Sequence, residues 1–528
     1  MTTRTSSRIA FAGACCLSLT AATALSSSDD WPQWGKDITN NMAAGETGIP
    51  AEWNCGEFVG GSDEIDLSTA KNVKWVAKLG SQSYGNPTIS NGLVFVGTNN
   101  DAPRDSRFKG DMSCVYCIDE ETGEYLWQLI TPKLGAGKVS DWEYLGMCSS
   151  VCVDGDKGYV VTNQCEVVCF DVNGLKNGNQ GVQDEGQRMA GRGKKPVEVL
   201  PHDADILWAF NMTDECGVFP HNVTSSSVLV VGDKVWASTS NGVDYGHIDM
   251  PNPQAPCLIV LDKNTGELIA EEQIGLSERT MHCNWSSPGY LMSEAPDGTK
   301  MEQCIFGGPD GFCYGFSPEF GKDEDGYGIL EELWRYDVNE KGYRFKEDGS
   351  PQKYATRGGP SEIIASPVIY KNRVYTMIGQ DPEHGTGVGN LACIDPTKTG
   401  DISESGKIWE FSDVGRGIST PSIGDDLLYA ADYAGFVYCL DAMTGEEYWR
   451  FDTKGHIWGS TLLVDGKVYI GNEDGFVTVL EHGKEKKMLG EVDMIAPVYS
   501  SPVAANGVLY IATQTHLFAI AQEEGGDK

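Results

Sequence analysis

Residues Gly435–Phe451 read GFVYCLDAMTGEEYWRF. Phe436, Tyr438 and Leu440 alternate with Val437 and Cys439, the period-2 pattern of a pleated strand. Asp441 and Thr444-Gly445 supply turn chemistry: an Asp side chain bonds nearby backbone N–H groups, and Gly accepts a positive φ. Tyr448, Trp449 and Phe451 begin an outward strand carrying aromatics. Variants of this strand–turn–strand unit recur along the chain, so repetition decides the fold.

Each repeat opens on small residues, often with Pro, followed by a short strand, a two-residue turn and a second strand. A polar break leads to a third strand, then Asp-x-x-Thr-Gly or a variant, then an outer strand with Trp. First strands begin near Asn86-Pro87, Ser149-Ser150, Ser225-Ser226, Ser286-Ser287-Pro288, Ser366-Pro367, Thr420-Pro421, Ser460-Thr461 and Ser501-Pro502. Asn91-Gly92, Asp154-Gly155, Asp465-Gly466 and Asn506-Gly507 are hairpin signals. Outer strands carry Trp127, Trp208, Trp334, Trp409 and Trp449, whereas the third and seventh units lack the Trp.

The eighth unit stops after its third strand, at Phe518-Ala519-Ile520, and a spare outer strand with Trp75 stands before the first unit at 73–79. Pairing the two satisfies both orphan edges. The pattern predicts an all-β chain, an eight-bladed β-propeller of four-stranded antiparallel blades closed by 73–79. A solenoid is the alternative, but it needs no complementary half-units at its ends. The expected organisation is a signal peptide at 1–24, an aromatic-studded arm without regular elements at 25–72, the propeller at 73–521 and an acidic tail at 522–528.

Export is read from Arg4 and Arg8, the mostly apolar stretch Ile9 to Leu19, and the Ala22-Thr23-Ala24 cleavage pattern. A lipid anchor on Cys15 or Cys16 is disfavoured, because Gly13 and Ala14 lack the usual Leu. The expected location is the periplasm or outside the cell. With 40 Lys and Arg against 76 Asp and Glu, the formal charge is −36. That excludes nucleic acid, whose phosphates require cationic partners, and electrostatic docking on anionic lipid. Solubility explains the charge; attraction of cations is the sharper reading. No apolar run beyond the signal is long enough to span a bilayer. Fourteen Cys remain after cleavage, and disulfides and buried thiols are both open readings. Cys114 and Cys117 face opposite sides of one strand, unlike a redox pair. No C-x-x-C-H, H-E-x-x-H, P-loop or G-x-S-x-G motif occurs. Asp323, Asp325 and Gly326 begin like a calcium loop, but the twelfth position is Trp334 rather than Glu.

Strand alternation sorts the connections onto two faces. One face carries the long segments 99–113, 128–147, 211–223, 243–256, 337–362 and 380–390. The other carries 175–205, a Gly-rich basic stretch read as a mobile excursion, together with 294–302, 317–331 and 396–407. Long loops on a rigid ring carry function, so the candidate site is the channel mouth on the first face. Residues just before the innermost strands ring that mouth: Tyr84, His221, Asn222, His282, Asn284, Trp285, Glu362, Arg416, His456, Trp458 and Tyr499. Trp offers a stacking face, Arg a fork for carboxylates, and Asn or Glu a hard-cation ligand. A wet channel tolerating polar side chains is the simpler reading. Asp244 with His247, and Asp381 with His384, are candidate metal ligands on the same face, set against ordinary loop polarity.

Asp441–Trp449, with Asp119–Trp127 and Asp262–Leu268, resembles the tryptophan-docking repeat of pyrroloquinoline quinone (PQQ) propellers. That superfamily includes quinoprotein alcohol dehydrogenases and BamB-type outer-membrane assembly lipoproteins. Trp31–Gly35 with Gly48–Trp53 resembles the opening of PQQ-binding-like propellers of planctomycete bacteria. The resemblance implies an exported scaffold binding a ligand or an envelope protein, or alternatively a PQQ- and calcium-dependent alcohol or sugar dehydrogenase. In the second case Glu362 would be the general base or a cation ligand, and Arg416 would pair the quinone carboxylates. Quinoprotein alcohol dehydrogenases set a vicinal Cys pair against the cofactor. The adjacent pair here, Cys15-Cys16, lies in the export signal.

Overall fold

The computed structural model describes residues 29–522; the expected export signal and the tail beyond residue 522 lie outside them. The opening stretch forms the second half of a four-stranded antiparallel sheet made of Ser422–Gly424, Leu427–Ala431, Phe436–Asp441 and Glu447–Asp452. Seven further units of this kind lie among the described residues, at 88–132, 152–211, 229–271, 289–337, 368–411, 462–493 and 503–520. Numbered in chain order, the opening stretch belongs to sheet 6. Sheet 8 takes its fourth strand from Val73–Lys78, which pairs antiparallel with His516–Ile520. Trp75 stands opposite Ala519.

Hydroxyl-bearing residues at the starts of the innermost strands tie one sheet to the next. The N–H of Ser150 donates to Ser227 Oγ, and that of Ser227 to Ser287 Oγ. On the other side the N–H groups of Ser366, Thr420 and Ser460 donate in turn to Thr420 Oγ1, Ser460 Oγ and Ser501 Oγ, at 2.9–3.0 Å. Ser501 N–H then donates to Asn86 Oδ1, joining the last sheet to the first. Ser286 Oγ bonds the Ala365 carbonyl. The small residues that mark each repeat are thus hydrogen-bond relays satisfying backbone groups at a buried inner rim.

The repeat tryptophans fasten the rim's outside. Trp75, Trp127, Trp208, Trp409 and Trp449 donate their indole N–H to Glu120, Val172, Lys263, Ala442 and Gly483 carbonyls of the following sheet, at 2.9–3.2 Å. The turn glycine closes the contact: a Cβ on Gly445, whose φ is +76°, would lie 2.7 Å from the Trp409 ring. Trp334 departs from the rule and bonds Gln303 of its own sheet. Every third-to-fourth strand ladder shifts register near this turn. Such a bulge re-aims the side chain beside it. The residue opposite the Trp is small: Cys117, Cys169, Cys393 and Cys439 face Trp127, Trp208, Trp409 and Trp449. These cysteines serve as compact apolar fillers. All 14 cysteines of the described residues are free thiols, and 12 are buried.

Three expectations are corrected. The arm does contain regular elements: Ala43–Ala44 pairs parallel with Leu463 and Val464, and Glu57–Phe58 pairs with Ile65–Asp66 before a 3-10 turn at Leu67–Thr69. The second hairpin turn is Gly155-Asp156, since Asp154 pairs with Lys157 and Gly155 takes φ +66°. The 175–205 excursion is packed: its helix Glu185–Ala190 buries Met189 and Ala190, and Arg188 reaches Glu166.

The arm also answers whether the channel is open. Residues 31–44 run across the ends of the innermost strands next to the hairpin turns. Pro32, Ile38, Thr39 and Met42 carbonyls accept the N–H groups of Val153, Tyr290, Ile369 and Leu463, at 2.7–2.9 Å. Trp31 bridges to Ile89, and Asn41 takes both hydrogen-bonding groups of Ile423. Asn40, buried, donates to the Pro288 and Pro367 carbonyls. Chain segments from six sheets converge on this strap, so the channel is stopped on the face opposite the candidate site. Among the described residues no helix is long and apolar enough to cross a membrane.

Candidate functional site

The open end of the channel divides into two clusters. The first is built where three segments approach closely. Gly242 bridges to Cys283, Val243 N–H donates to the His282 carbonyl, and His221 N–H donates to Ser240. Gly242 is required here, because a Cβ would stand 2.5 Å from His221 Cβ. The result places His221 and His282 ring to ring, with Nε2 atoms 3.0 Å apart and both side chains nearly fully buried. The ring of exposed His247 stands 4.7 Å from that of His282 and 5.1 Å from that of His221. His384 lies 5.3 Å from His282, centroid to centroid.

The groups behind these rings set their chemistry. His221 Nδ1 faces the Val243 carbonyl at 2.6 Å, so it carries the proton and leaves Nε2 as the lone-pair atom. Burial, then the neighbouring His282, depresses His221 to about 3. Burial likewise depresses His282 to about 3, so both rings are neutral at physiological pH. Glu362 is fully buried, accepts the Tyr354 hydroxyl at 2.8 Å and stands 3.8 Å from His282 Nδ1. Desolvation pushes its carboxyl up to about 7. His282 Nδ1, Glu362 Oε2 and His384 Nδ1 are buried without a hydrogen-bond partner. The backbone is strained here: Asn222, Val223 and His247 take φ of +46°, +76° and +52°, conformations uncommon for residues with a Cβ and rarer for β-branched Val.

The second cluster is aromatic. Tyr84 stacks on Tyr499 at 5.1 Å, Trp458 meets Tyr499 edge-on, and Tyr433 stacks on His456 at 4.4 Å. Trp458 Nε1 donates to Glu473 Oε2. A cavity of about 460 Å³ lies between the clusters, lined by Tyr84, Trp142, Trp285, Asp381 and Trp458 among others. A smaller one of about 210 Å³ reaches the histidines and shares Trp142, Asn222 and Asp381 with the first.

The mouth thus gathers Tyr84, Trp285, Asn222, Trp458, His221, His282, His247, His384 and Asp381, with Glu362 behind them. His456 and Tyr499 belong to the aromatic side and meet none of the other histidines. Asn284 is not at the mouth: it is fully buried and bonded to Ser238, Ser240 and Asn241, holding two segments together. Arg416 is also buried. Its Nη1 and Nη2 groups donate to Gln380 Oε1 and to the Thr356 and Arg357 carbonyls, Nε is buried without a partner, and a Cβ on Gly387 would meet the guanidinium at 2.0 Å. Asp244 accepts the Ile248 and Asp249 N–H groups and so shapes the His247 loop. Asp381 caps the turn Pro382–His384 by accepting Glu383 N–H. The sequence reading missed Trp142, Tyr354 and Tyr433. The first two sit in long loops of the predicted face, where the repeat template gives no register to single out a residue.

These features define a β-propeller. The family model described as outer membrane protein assembly factor BamB matches residues 388–525, about the last quarter of the chain. Among solved structures, BamB from Moraxella catarrhalis shares 12% identity and a TM-score of 0.50, covering 86% of this chain and 99% of its own. A europium-containing methanol dehydrogenase also shares 12% identity and a TM-score of 0.50, covering 93% and 98%. Both are likenesses of fold. No curated protein matches the chain.

Proposed function

We propose that the chain is a binding propeller of the cell envelope, a rigid ring presenting a ligand pocket at the mouth of a channel plugged from behind. The single observation carrying this reading is the cavity of about 460 Å³ walled by Tyr84, Trp142, Trp285 and Trp458. Its size and its mix of stacking faces with a few polar groups suit a flat, polar ligand, or a side chain inserted by a partner protein. The BamB likeness and the export signal support an envelope setting, periplasmic or secreted.

A PQQ- and calcium-dependent dehydrogenase is the alternative. The aromatic faces fit a planar quinone, but the donors do not fit its usual partners. Arg416 is buried with its Nη1 and Nη2 groups turned to protein oxygens, no vicinal cysteines occur among the described residues, and the cluster at the mouth is rich in imidazole nitrogen. Calcium takes six to eight oxygen ligands.

PQQ is a usable planar, anionic probe for both readings. Quenching of tryptophan fluorescence is expected without calcium and without dye-linked alcohol oxidation, and should be weakened at least about tenfold by Trp458→Ala. Calcium-dependent quinone absorbance with alcohol turnover would instead establish the dehydrogenase. Absence of quenching at micromolar PQQ would remove the small planar ligand from the reading.

A further inference from the structure

Four of the eight histidines converge at the mouth, and three meet the requirements of a ligand set. The ring nitrogens of His221, His247 and His282 lie within 4.8 Å of one another. With Zn–N bonds of about 2.0–2.1 Å and tetrahedral angles, ligand nitrogens sit roughly 3.3 Å apart. The 3.0 Å between His221 and His282 Nε2 is already near that spacing, and the exposed His247 sits on a surface loop from which its ring completes the triangle.

The surroundings match as well. His221 Nδ1 bonds the Val243 carbonyl, which aims Nε2 inward. His282 Nδ1 has no partner and faces Glu362 Oε1 at 3.8 Å, the oxygen that accepts the Tyr354 hydroxyl, while Oε2 of the same carboxylate is buried without a partner. Metal-bound histidines characteristically donate their other ring N–H to a carbonyl or carboxylate, fixing tautomer and orientation. Here one ring has the carbonyl and another stands before the carboxylate. The Nε2 atoms of His221 and His282 face each other at 3.0 Å, where one ring donates to the other when no cation lies between them. A cation between them would use both.

The other histidine–carboxylate group among the described residues contrasts with this one. Asp105, His202 and Asp203 also converge, but Arg107 pairs with both carboxylates and fills their centre.

We infer that His221, His247 and His282 form a three-imidazole site for a divalent transition-metal ion of the zinc class, with Glu362 as the outer partner of His282. Imidazole nitrogen selects such ions over calcium or magnesium. Three protein ligands leave a fourth position, which faces the cavity of about 210 Å³ beside Trp142 and Asp381. It is accessible to water or to an anionic group of a ligand. The inference stands on its own whether or not the pocket binds a planar molecule.

The test is competition titration of the chelator-stripped full chain with zinc chloride against a chromogenic chelator, with cobalt(II) absorption as a second measurement. One zinc per chain is expected, with cobalt bands of imidazole and oxygen ligation. His247→Ala removes an exposed ligand, leaves the packed interior intact, and should weaken binding on the order of 100-fold or more. Glu362→Gln should weaken it by about 10–100-fold. Thermal melting of each variant separates loss of binding from loss of fold. No stoichiometric zinc, zinc unmoved by His247→Ala, or cobalt bands of thiolate ligation would each overturn the assignment.

Discussion

Sheets 6, 7 and 8 differ from sheets 3, 4 and 5 in how closely they follow one template. In the first group strands are joined by short turns, the relay from Thr420 through Ser460 to Ser501 runs without a break, and the BamB family model, which begins in the outer half of sheet 5, spans all three sheets. In the second group the connections lengthen. Sheets 3 and 4 are joined along their outer strands by a Glu271–Ile329 bridge, and Gly400–Asp401 adds to the edge of sheet 4. Trp334 turns inward to Gln303. The histidine cluster lies over this second group, and the aromatic stack over the first. Regularity therefore measures how much of a sheet serves the ring, and departures from it mark where the ring supports a site.

The comparison breaks most visibly if the tryptophans of the regular side are not structural. Trp449→Ala removes a buried indole that bonds the Gly483 carbonyl. It should cost about 3–5 kcal/mol in denaturant unfolding while leaving zinc affinity of the folded fraction unchanged. A neutral result would end the fastening role.

A second test concerns where pH sensitivity resides. Glu272, at the end of sheet 3, is buried and accepts the N–H groups of Cys257 and Ile274; desolvation raises its carboxyl from 4.5 to about 7. Because the folded value is raised, its contribution is fully present below pH 4.5 and is lost as pH climbs toward 7, where the unfolded chain releases its proton more readily. Wild type should lose on the order of 3 kcal/mol over that window relative to Glu272→Gln. Parallel unfolding curves of the two proteins at pH 4.5 and pH 7.5 measure it. Equal gaps at both pH values would mean the carboxylate is stabilised as an ion.

The smallest effect is expected from the relay. Ser460→Ala leaves Thr420 N–H without its acceptor, which should cost about 1–3 kcal/mol. A loss near the lower bound would show water substituting at the inner rim, and a larger one would show that the rim is dry.

The same contrast explains what could be read from sequence. The sheets were legible because alternation, two-residue turns and the Asp-x-x-Thr-Gly turn each impose local chemistry, and because Trp75 stood as a half-unit missing its partner. Buried Asn284 and Arg416 were misplaced because position before an innermost strand fixes a side chain's height and not the direction it points. Asn284 turns back to Ser238, and Arg416 turns toward the Thr356 carbonyl. The histidine triad drew on residues 221, 247 and 282, named individually from their face. Their convergence depends on Gly242 permitting three segments to meet, a packing fact that spacing along the chain does not encode. The arm reads as lacking regular elements because Pro and Gly interrupt it, yet its backbone groups and the Asn41 side chain find partners on six different sheets.

The pairing of Val73–Lys78 with His516–Ile520 has a consequence in time. The strand that completes sheet 8 is synthesised before every other strand of the ring, and its partner is the last to be made. Until residues 516–520 are available, Trp75 and one edge of the ladder lack their neighbours, and an unpaired edge is a template for wrong pairing. Loop closure over more than 400 residues is also slow relative to forming any single sheet. The seven sheets contained in continuous sequence can form in succession, whereas closure and seating of the strap that precedes Val73 must wait for the whole chain. Folding of this molecule therefore ends at Val73–Lys78 and the strap before it.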